Sequence, residues 1–121
     1  MKVIIDLIED IRESIANAED YELRAGLLKE DTENPSRLIY AGEALLNAYE
    51  LDEEKKELRF KIDGSGSKIT IGELIPSLLI LDMDAMMYTL KIDVNAQYKD
   101  MEVVGFGKNE EQKAYLLFIR I

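Results

Sequence analysis

Residues 69–85 read I-T-I-G-E-L-I-P-S-L-L-I-L-D-M-D-A and predict the central helix of the fold. Thr70 and Glu73 have the T-x-x-E spacing of a capping box, in which the hydroxyl accepts a backbone N–H and the carboxylate reaches back to the cap. The apolar residues that follow at helical spacing are Ile71, Leu74, Ile75, Leu78 and Leu79. One face of this helix is therefore predicted to be buried. Asp82 and Asp84 are expected to end it, because short acidic side chains favour turns.

Pro76 falls inside this predicted helix. Its ring removes one backbone hydrogen bond and presses on the carbonyl of Gly72, four residues back. We therefore expect either a kink or a short first turn followed by a second helix that begins at Pro76. The simplest use of such a bend is to wrap the helix onto a sheet.

The composition bounds both the fold and the chemistry. A chain of 121 residues with 47% apolar residues is expected to fold as one domain, residues 1–121. It has no Cys, His or Trp, which excludes disulfides, thiolate metal sites and histidine-based catalysis within this chain. The absence of Cys fits a cytoplasmic location. No apolar stretch approaches the ~20 residues of a bilayer span, so no membrane contact is expected.

The formal net charge of −10 argues against direct nucleic-acid binding, which needs a positive surface. Residues 3–18 are predicted to form an amphipathic helix, because apolar side chains recur at spacings of three and four. Its apolar stripe consists of Ile4, Ile8, Ile11, Ile15 and Ala18. A second stripe, which we call the α1 acidic stripe, consists of Asp6, Glu9, Asp10 and Glu13. It is either a solvated face or a contact for a basic protein surface, and these four are the predicted partner-binding residues.

Strand patterns occupy much of the remaining chain. The segments with alternating or β-favouring residues are 21–29, 37–41, 86–94, 101–107 and 113–121. In the last of these, Leu116 and Phe118 make the second face apolar too. That pattern predicts an interior strand covered on both faces, or a face used in self-association.

Residues 43–60 fit two interpretations. The segment is rich in helix formers, yet Leu58, Phe60 and Ile62 alternate with charged residues as in a strand. Residues 52–57 contain no apolar side chain. A continuous helix through them would have nearly two turns without an apolar residue. We therefore favour a hairpin with a charged tip.

Two candidate ligand sites have simpler explanations. The Gly-rich residues 63–68 lack the P-loop spacing and are expected to be a turn. Asp63, Asp82 and Asp84 could gather around a hard cation, but their positions are better explained by turns. We therefore predict no catalytic, cofactor-binding or metal-binding residue in the chain. Residues 105–112 are expected to form a bulge or turn.

Residues 70–85 resemble an element of small phage- and prophage-encoded proteins, T-[VI]-x-E-L-I-x-x-L-x-x-[LF]-D-x-D-A. Here the element reads T-I-G-E-L-I-P-S-L-L-I-L-D-M-D-A, with Pro76 departing from the pattern. The resemblance covers about a seventh of the chain. It implies a bacterial or mobile-element origin and carries over no functional residue.

These observations together predict an α+β fold, with two helices on one antiparallel sheet of five or six strands. The function they favour is a non-enzymatic acidic binding protein, such as an inhibitor of a host nucleic-acid-binding factor. One alternative is a small carboxylate- or metal-dependent hydrolase. The other is a structural homo-oligomer joined through the C-terminal strand.

Overall fold

Residues 1–14, 17–63 and 66–121 are described by a computed structural model. Within them the chain forms two α-helices, α1 (Ile4–Ser14) and α2 (Ile71–Leu79), and a short 3₁₀ segment (Met83–Met87). The strands are β1 (Glu22–Glu30), β2 (Leu38–Leu45), β3 (Ala48–Asp52), β4 (Glu57–Lys61), β5 (Thr89–Asp93), β6 (Met101–Glu102), β7 (Gly105–Asn109) and β8 (Ala114–Arg120). The predicted α+β class is confirmed.

The strands form two sheets of four, which we call sheet 1 (order β2-β1-β8-β7) and sheet 2 (order β3-β4-β5-β6). In each sheet the central pair is parallel and both outer pairs are antiparallel. The prediction of a single antiparallel sheet of five or six strands is therefore wrong. Alternation along a strand reports which of its faces is buried, but it does not report which strand lies beside it.

The chain passes between the two sheets at two points among the described residues. At the first, Leu46 donates its N–H to Leu23 of sheet 1, and Asn47 donates to Lys61 of sheet 2. At the second, Val103 donates to Leu90 of sheet 2, and the next residue donates to Phe118 of sheet 1. Leu46 and Val103 are fully buried. Neighbouring backbone groups thus hydrogen-bond to different sheets at each crossing.

One hydrophobic core joins both sheets and both helices. Sheet 1 contributes Leu23, Ala25, Tyr115, Leu117 and Ile119, and sheet 2 contributes Leu58, Phe60, Leu90 and Ile92. The helices contribute Ile4, Leu7, Ile8, Ile11, Ile71, Leu74 and Leu78. The inward faces predicted for α1, β1 and β8 contribute to this core, whereas of the predicted α2 face only Ile71, Leu74 and Leu78 are buried.

Helix α1 is shorter than the predicted residues 3–18. Val3 forms an isolated bridge with Thr89 instead of a helical turn, and the described helix ends at Ser14. Ile15, part of the predicted stripe, lies outside the described residues. Asn17 has a left-handed φ of 58°, which no α-helix accommodates. The buried Ala18 follows the helix and does not belong to it.

Helix α2 begins at the predicted place by a different mechanism. Thr70 is its N-cap, but the hydroxyl makes no capping hydrogen bond, so the predicted capping box is wrong. The first two helical N–H groups are instead bound by neighbouring backbone: Ile71 donates to Tyr21 O (2.9 Å) and Gly72 donates to Glu19 O (3.0 Å). Docking against residues 19–21 therefore replaces the side-chain cap.

The helix also ends before the predicted residues. It runs through Pro76 without interruption to Leu79, so no second helix begins at the proline. The 3₁₀ segment then occupies residues 83–87, where the sequence predicted the start of a strand. Asp82 is the N-cap of this 3₁₀ segment and Asp84 lies in its first turn, so both follow α2 but belong to a second helical element and not to a simple turn.

The remaining strand predictions have mixed outcomes. The hairpin in residues 43–60 is confirmed, since β3 and β4 pair antiparallel around the tip 53–56. The predicted strand 101–107 is wrong: β6 and β7 belong to different sheets, and residues 105–109 form β7, where a bulge or turn was expected. Gly64 and Ser65 of the predicted loop lie outside the described residues. Strand β8 is confirmed as interior, hydrogen-bonded to β1 and β7.

Candidate partner-binding surface

All four carboxylates of the α1 acidic stripe line the same shallow depression. Its volume is about 170 Å³, and Lys2 and Phe106 complete its wall. Helical spacing explains the grouping, because residues three and four apart are neighbours on one face. The predicted partner-binding residues Asp6, Glu9, Asp10 and Glu13 are therefore brought together.

Two members of the stripe also hold the fold. Asp6 Oδ2 accepts the N–H of Val3, the residue before α1, at 2.9 Å. This is the carboxylate half of a capping box, and a negative charge here also suits the helix dipole. Asp10 Oδ2 accepts the hydroxyl of Tyr115 on β8 at 2.6 Å. Asp6 therefore stabilises the start of α1, and Asp10 attaches the helix to sheet 1.

The Tyr115 side chain is fully buried beneath the acidic stripe. Burial, followed by the hydrogen bond to the Asp10 carboxylate, raises the pKa of Tyr115 well above the usual 10.0. The phenol is therefore a neutral donor at physiological pH, and its ring stacks on Phe106 with the centroids 6.1 Å apart. This contact fixes the position of Asp10 on the surface.

Glu9 and Glu13 are the exposed members of the stripe. Within the described residues neither forms an ion pair or a hydrogen bond. Two nearby lysines are engaged elsewhere: the Lys2 ammonium lies 5.7 Å from the Phe106 ring centroid, and Lys108 donates to Ser14 O and pairs with Glu110, both at 2.9 Å. Two carboxylates on one rigid helix are thus open to an external cation.

The outer face of sheet 2 carries paired charges. Arg59 binds the carboxylates of Glu57 (2.7 Å), Asp93 (2.8 Å) and Asp100 (2.7 Å). The hydrogen bond that Arg59 donates to Asp100 is the largest of the effects that raise the pKa of the Arg59 guanidinium. This cluster was not predictable from the sequence, because its members come from two strands and a loop. All three carboxylates are ion-paired with Arg59, so the cluster holds neighbouring parts of the sheet surface together.

A similar cluster lies on the outer face of sheet 1. Arg24 binds Glu22 (2.8 Å), Glu43 (2.7 Å) and the amide oxygen of Gln112 (2.6 Å). Tyr40 donates its hydroxyl to Glu43; burial, followed by this bond, raises the pKa of Tyr40 to about 12. An open depression of about 540 Å³ adjoins these residues. Its Glu43 and Glu110 carboxylates are both paired with bases, which leaves them poorly placed for proton transfer.

Within the described residues, no group of three or more carboxylates is arranged to hold a metal ion. The structure therefore does not bring Asp82 and Asp84 into a cation site with further ligands. In the same part of the chain, the helices are all too short to cross a bilayer.

The chain was also compared with known proteins. Protein-family models, curated proteins and solved structures yield no match. The resemblance of residues 70–85 to phage proteins therefore stays a prediction, and the function has to be argued from the surface of this molecule.

Proposed function

We propose that this protein is a non-enzymatic binding protein whose α1 acidic stripe contacts a basic surface on a partner protein. The observation that carries the proposal is the pair Glu9 and Glu13, which are exposed and form no ion pair with any described residue, on a helix that Asp6 and Asp10 anchor. A nucleic-acid-binding factor presents such a basic surface. A phage-encoded inhibitor of such a factor would have the charge and size of this chain.

The contrast with the rest of the surface supports this choice. On both sheets the central arginines are neutralised by carboxylates in short ion pairs. The α1 acidic stripe forms no ion pair within residues 1–14, 17–63 and 66–121, and the chain carries a net charge of −10. Like charges three or four residues apart repel by a few tenths of a kcal/mol, and a basic partner would relieve this repulsion. The attraction would act mainly on the association rate.

The test is a charge reversal that spares the two anchoring residues. The partner is first recovered by affinity pull-down from the native host and then purified. The variant Glu9→Lys/Glu13→Lys should associate with it at least about tenfold more slowly at low salt, on the scale of electrostatic steering. The matched control is Glu53→Lys/Glu54→Lys, which makes the same charge change at the exposed tip of the β3–β4 hairpin.

Salt gives a second readout. The difference between the wild type and the α1 variant should shrink as ionic strength rises, since the Debye length falls from roughly 30 Å at 0.01 M to 10 Å at 0.1 M. Equal slowing by the control variant would show that only total charge matters. A folded α1 variant that associates at the wild-type rate would refute the assignment of the stripe.

A further inference from the structure

An apolar groove runs between the end of α1 and helix α2. Its volume is about 320 Å³, and its apolar wall is formed by Ile11, Ala18, Ile71, Ile75 and Pro76. Ile75 is only partly buried and Pro76 is exposed, so the second side of α2 faces outward. The core-facing side of the helix consists of other residues, Leu74 and Leu78 among them.

Further exposed apolar side chains follow along the chain, at the end of α2 and in the 3₁₀ segment. Leu79 lies one helical turn after Ile75, on the same side of α2. The exposed fractions are 51% for Leu79, 83% for Ile80, 87% for Met83 and 66% for Met87. We call the groove and these four side chains the α2 apolar surface. Exposed apolar patches of this kind with a polar rim mark interaction sites on soluble proteins.

The charged side chains carried by the α2 segment itself are all negative. No Lys or Arg occurs between Lys68 and Lys91, whereas Glu73, Asp82 and Asp84 do. All three are exposed, and Glu19 lines the groove itself, where Arg12 is the one base in the described lining. Asp82 and Asp84 flank the exposed Met83 and so place carboxylates beside an apolar side chain.

From this combination we infer that the α2 apolar surface binds a basic amphipathic segment of a partner protein. The apolar face of such a segment would occupy the groove and cover Ile80, Met83 and Met87. Its Lys or Arg side chains would then reach the carboxylates of Asp82 and Asp84. The inference deepens the proposed function and rests on it for one point only, namely that the partner is a basic protein.

Charge decides between the candidate occupants. A second copy of this chain would bring two sets of Asp82 and Asp84 together, and a membrane with anionic lipids would repel the same carboxylates. A basic amphipathic segment meets both the apolar and the acidic parts. The methionines favour this occupant, because their unbranched side chains adapt to the shape of a bound apolar face.

The probe is a synthetic Leu/Lys peptide of about 14 residues, roughly four turns of amphipathic helix. A scrambled peptide of identical composition keeps its charge and loses the apolar face. We expect saturable binding of the amphipathic peptide to the full chain, measured by titration calorimetry. The scrambled peptide should bind at least about tenfold more weakly, equivalent to about 1.4 kcal/mol.

Three variants locate the site. Ile80→Ser/Met83→Ser/Met87→Ser removes exposed apolar side chains and should weaken peptide binding at least tenfold, about 1.4 kcal/mol. Asp82→Asn/Asp84→Asn should weaken it and reduce its salt dependence. The matched control, Leu38→Ser/Leu45→Ser/Ile62→Ser, removes three exposed apolar side chains elsewhere and should bind as the wild type does. Circular dichroism confirms that each variant is folded.

The α1 variant Glu9→Lys/Glu13→Lys separates this inference from the proposed function. If only the α1 variant loses peptide binding, the stripe binds basic partners and the inference fails. If only the triple serine variant loses it, the inference stands and the role of the stripe fails. Equal binding of both peptides overturns the inference. So does self-association, or binding to anionic vesicles, that the triple serine variant abolishes, since a second copy or a membrane would then be the occupant.

Discussion

Gly72 occupies a position where a side chain would meet backbone. A Cβ at this residue would lie 3.0 Å from the carbonyl oxygen of Glu19, the oxygen that accepts the Gly72 N–H. We expect Gly72→Ala to lower the free energy of unfolding by about 1 kcal/mol, because crowding outweighs the better helix propensity of Ala. Thr70→Ala should change it by less than about 0.5 kcal/mol, since the hydroxyl caps nothing.

Urea denaturation of both variants measures the comparison. The order of the two effects is the informative result. A larger loss for Thr70→Ala than for Gly72→Ala would mean that the hydroxyl caps α2 in solution. A higher unfolding free energy for Gly72→Ala would mean that the backbone around Glu19 shifts easily to accommodate the added methyl group.

Tyr115 makes stability depend on alkaline pH. Its pKa is raised above the usual 10.0 in the folded protein, so above pH 10 the folded state holds a proton that the unfolded chain has lost. The stabilisation is complete below about pH 10 and declines as the pH rises further. We predict that unfolding free energy measured from pH 8 to 11 falls at the alkaline end, and that Tyr115→Phe flattens this fall.

Tyr40 contributes in the same direction, because its pKa is raised to about 12. The variant Tyr115→Phe should also cost about 1–2 kcal/mol near neutral pH, through loss of the bond to the Asp10 carboxylate. The control is Tyr49→Phe, whose ring is exposed on β3. An equally steep alkaline fall in wild type and Tyr115→Phe would exclude this phenol as its cause.

At the scale of single elements, the tip of the β3–β4 hairpin contains a strained residue. Lys56 has a left-handed φ of 57°, a conformation that costs a side-chain-bearing residue about 1–2 kcal/mol. We expect Lys56→Gly to raise the unfolding free energy by about 0.5 kcal/mol after the entropic cost of glycine. Glu54→Gly, at a tip residue without positive φ, should lower stability. The prediction fails if both substitutions destabilise the protein equally.

Element faces were predictable because they depend on local spacing. Alternate residues of a strand lie on the same face of the sheet, so the spacing correctly predicted the buried faces of β1, with Leu23 and Ala25, and of β8. Which strands lie beside each other in a sheet was not predictable from spacing. The break at Val103 divides one β-favouring segment between two sheets. It is set by the hydrogen bonds of Val103 to Leu90 and of Val104 to Phe118, and both acceptors are distant in sequence. The cap of α2 was misassigned for the same reason: its hydrogen-bond acceptors lie some fifty residues upstream.

The candidate site was predictable to a similar degree. The stripe of four carboxylates follows from helical spacing alone. Helical spacing does not show which of the four carboxylates are bonded within the fold, because the hydrogen bond from Tyr115 to Asp10 joins residues 105 positions apart. The exposure of Ile80 and Met83 was likewise not predictable from the sequence, because apolar side chains favour burial. These residues are exposed because α2 ends before them.

At the scale of the whole molecule, β8 holds sheet 1 together. It pairs parallel with β1 and antiparallel with β7, and it contributes four fully buried side chains, Ala114, Tyr115, Leu117 and Ile119. Deleting residues 114–121 should therefore abolish the cooperative thermal transition seen by circular dichroism and leave an insoluble chain. A soluble truncation that still unfolds cooperatively would show that sheet 2 and the helices fold without it.

The strand order also has a consequence during synthesis. Sheet 2 uses a contiguous part of the chain, from β3 to β6, whereas the β1–β2 hairpin of sheet 1 pairs with a strand that follows every other element of the fold. While the chain is being translated, β1 emerges early, and one of its edges stays unpaired until β8 has been synthesised. That edge is a template for unwanted strand pairing. The nascent protein should therefore be most vulnerable to aggregation, and most dependent on chaperones, just before β8 leaves the ribosome.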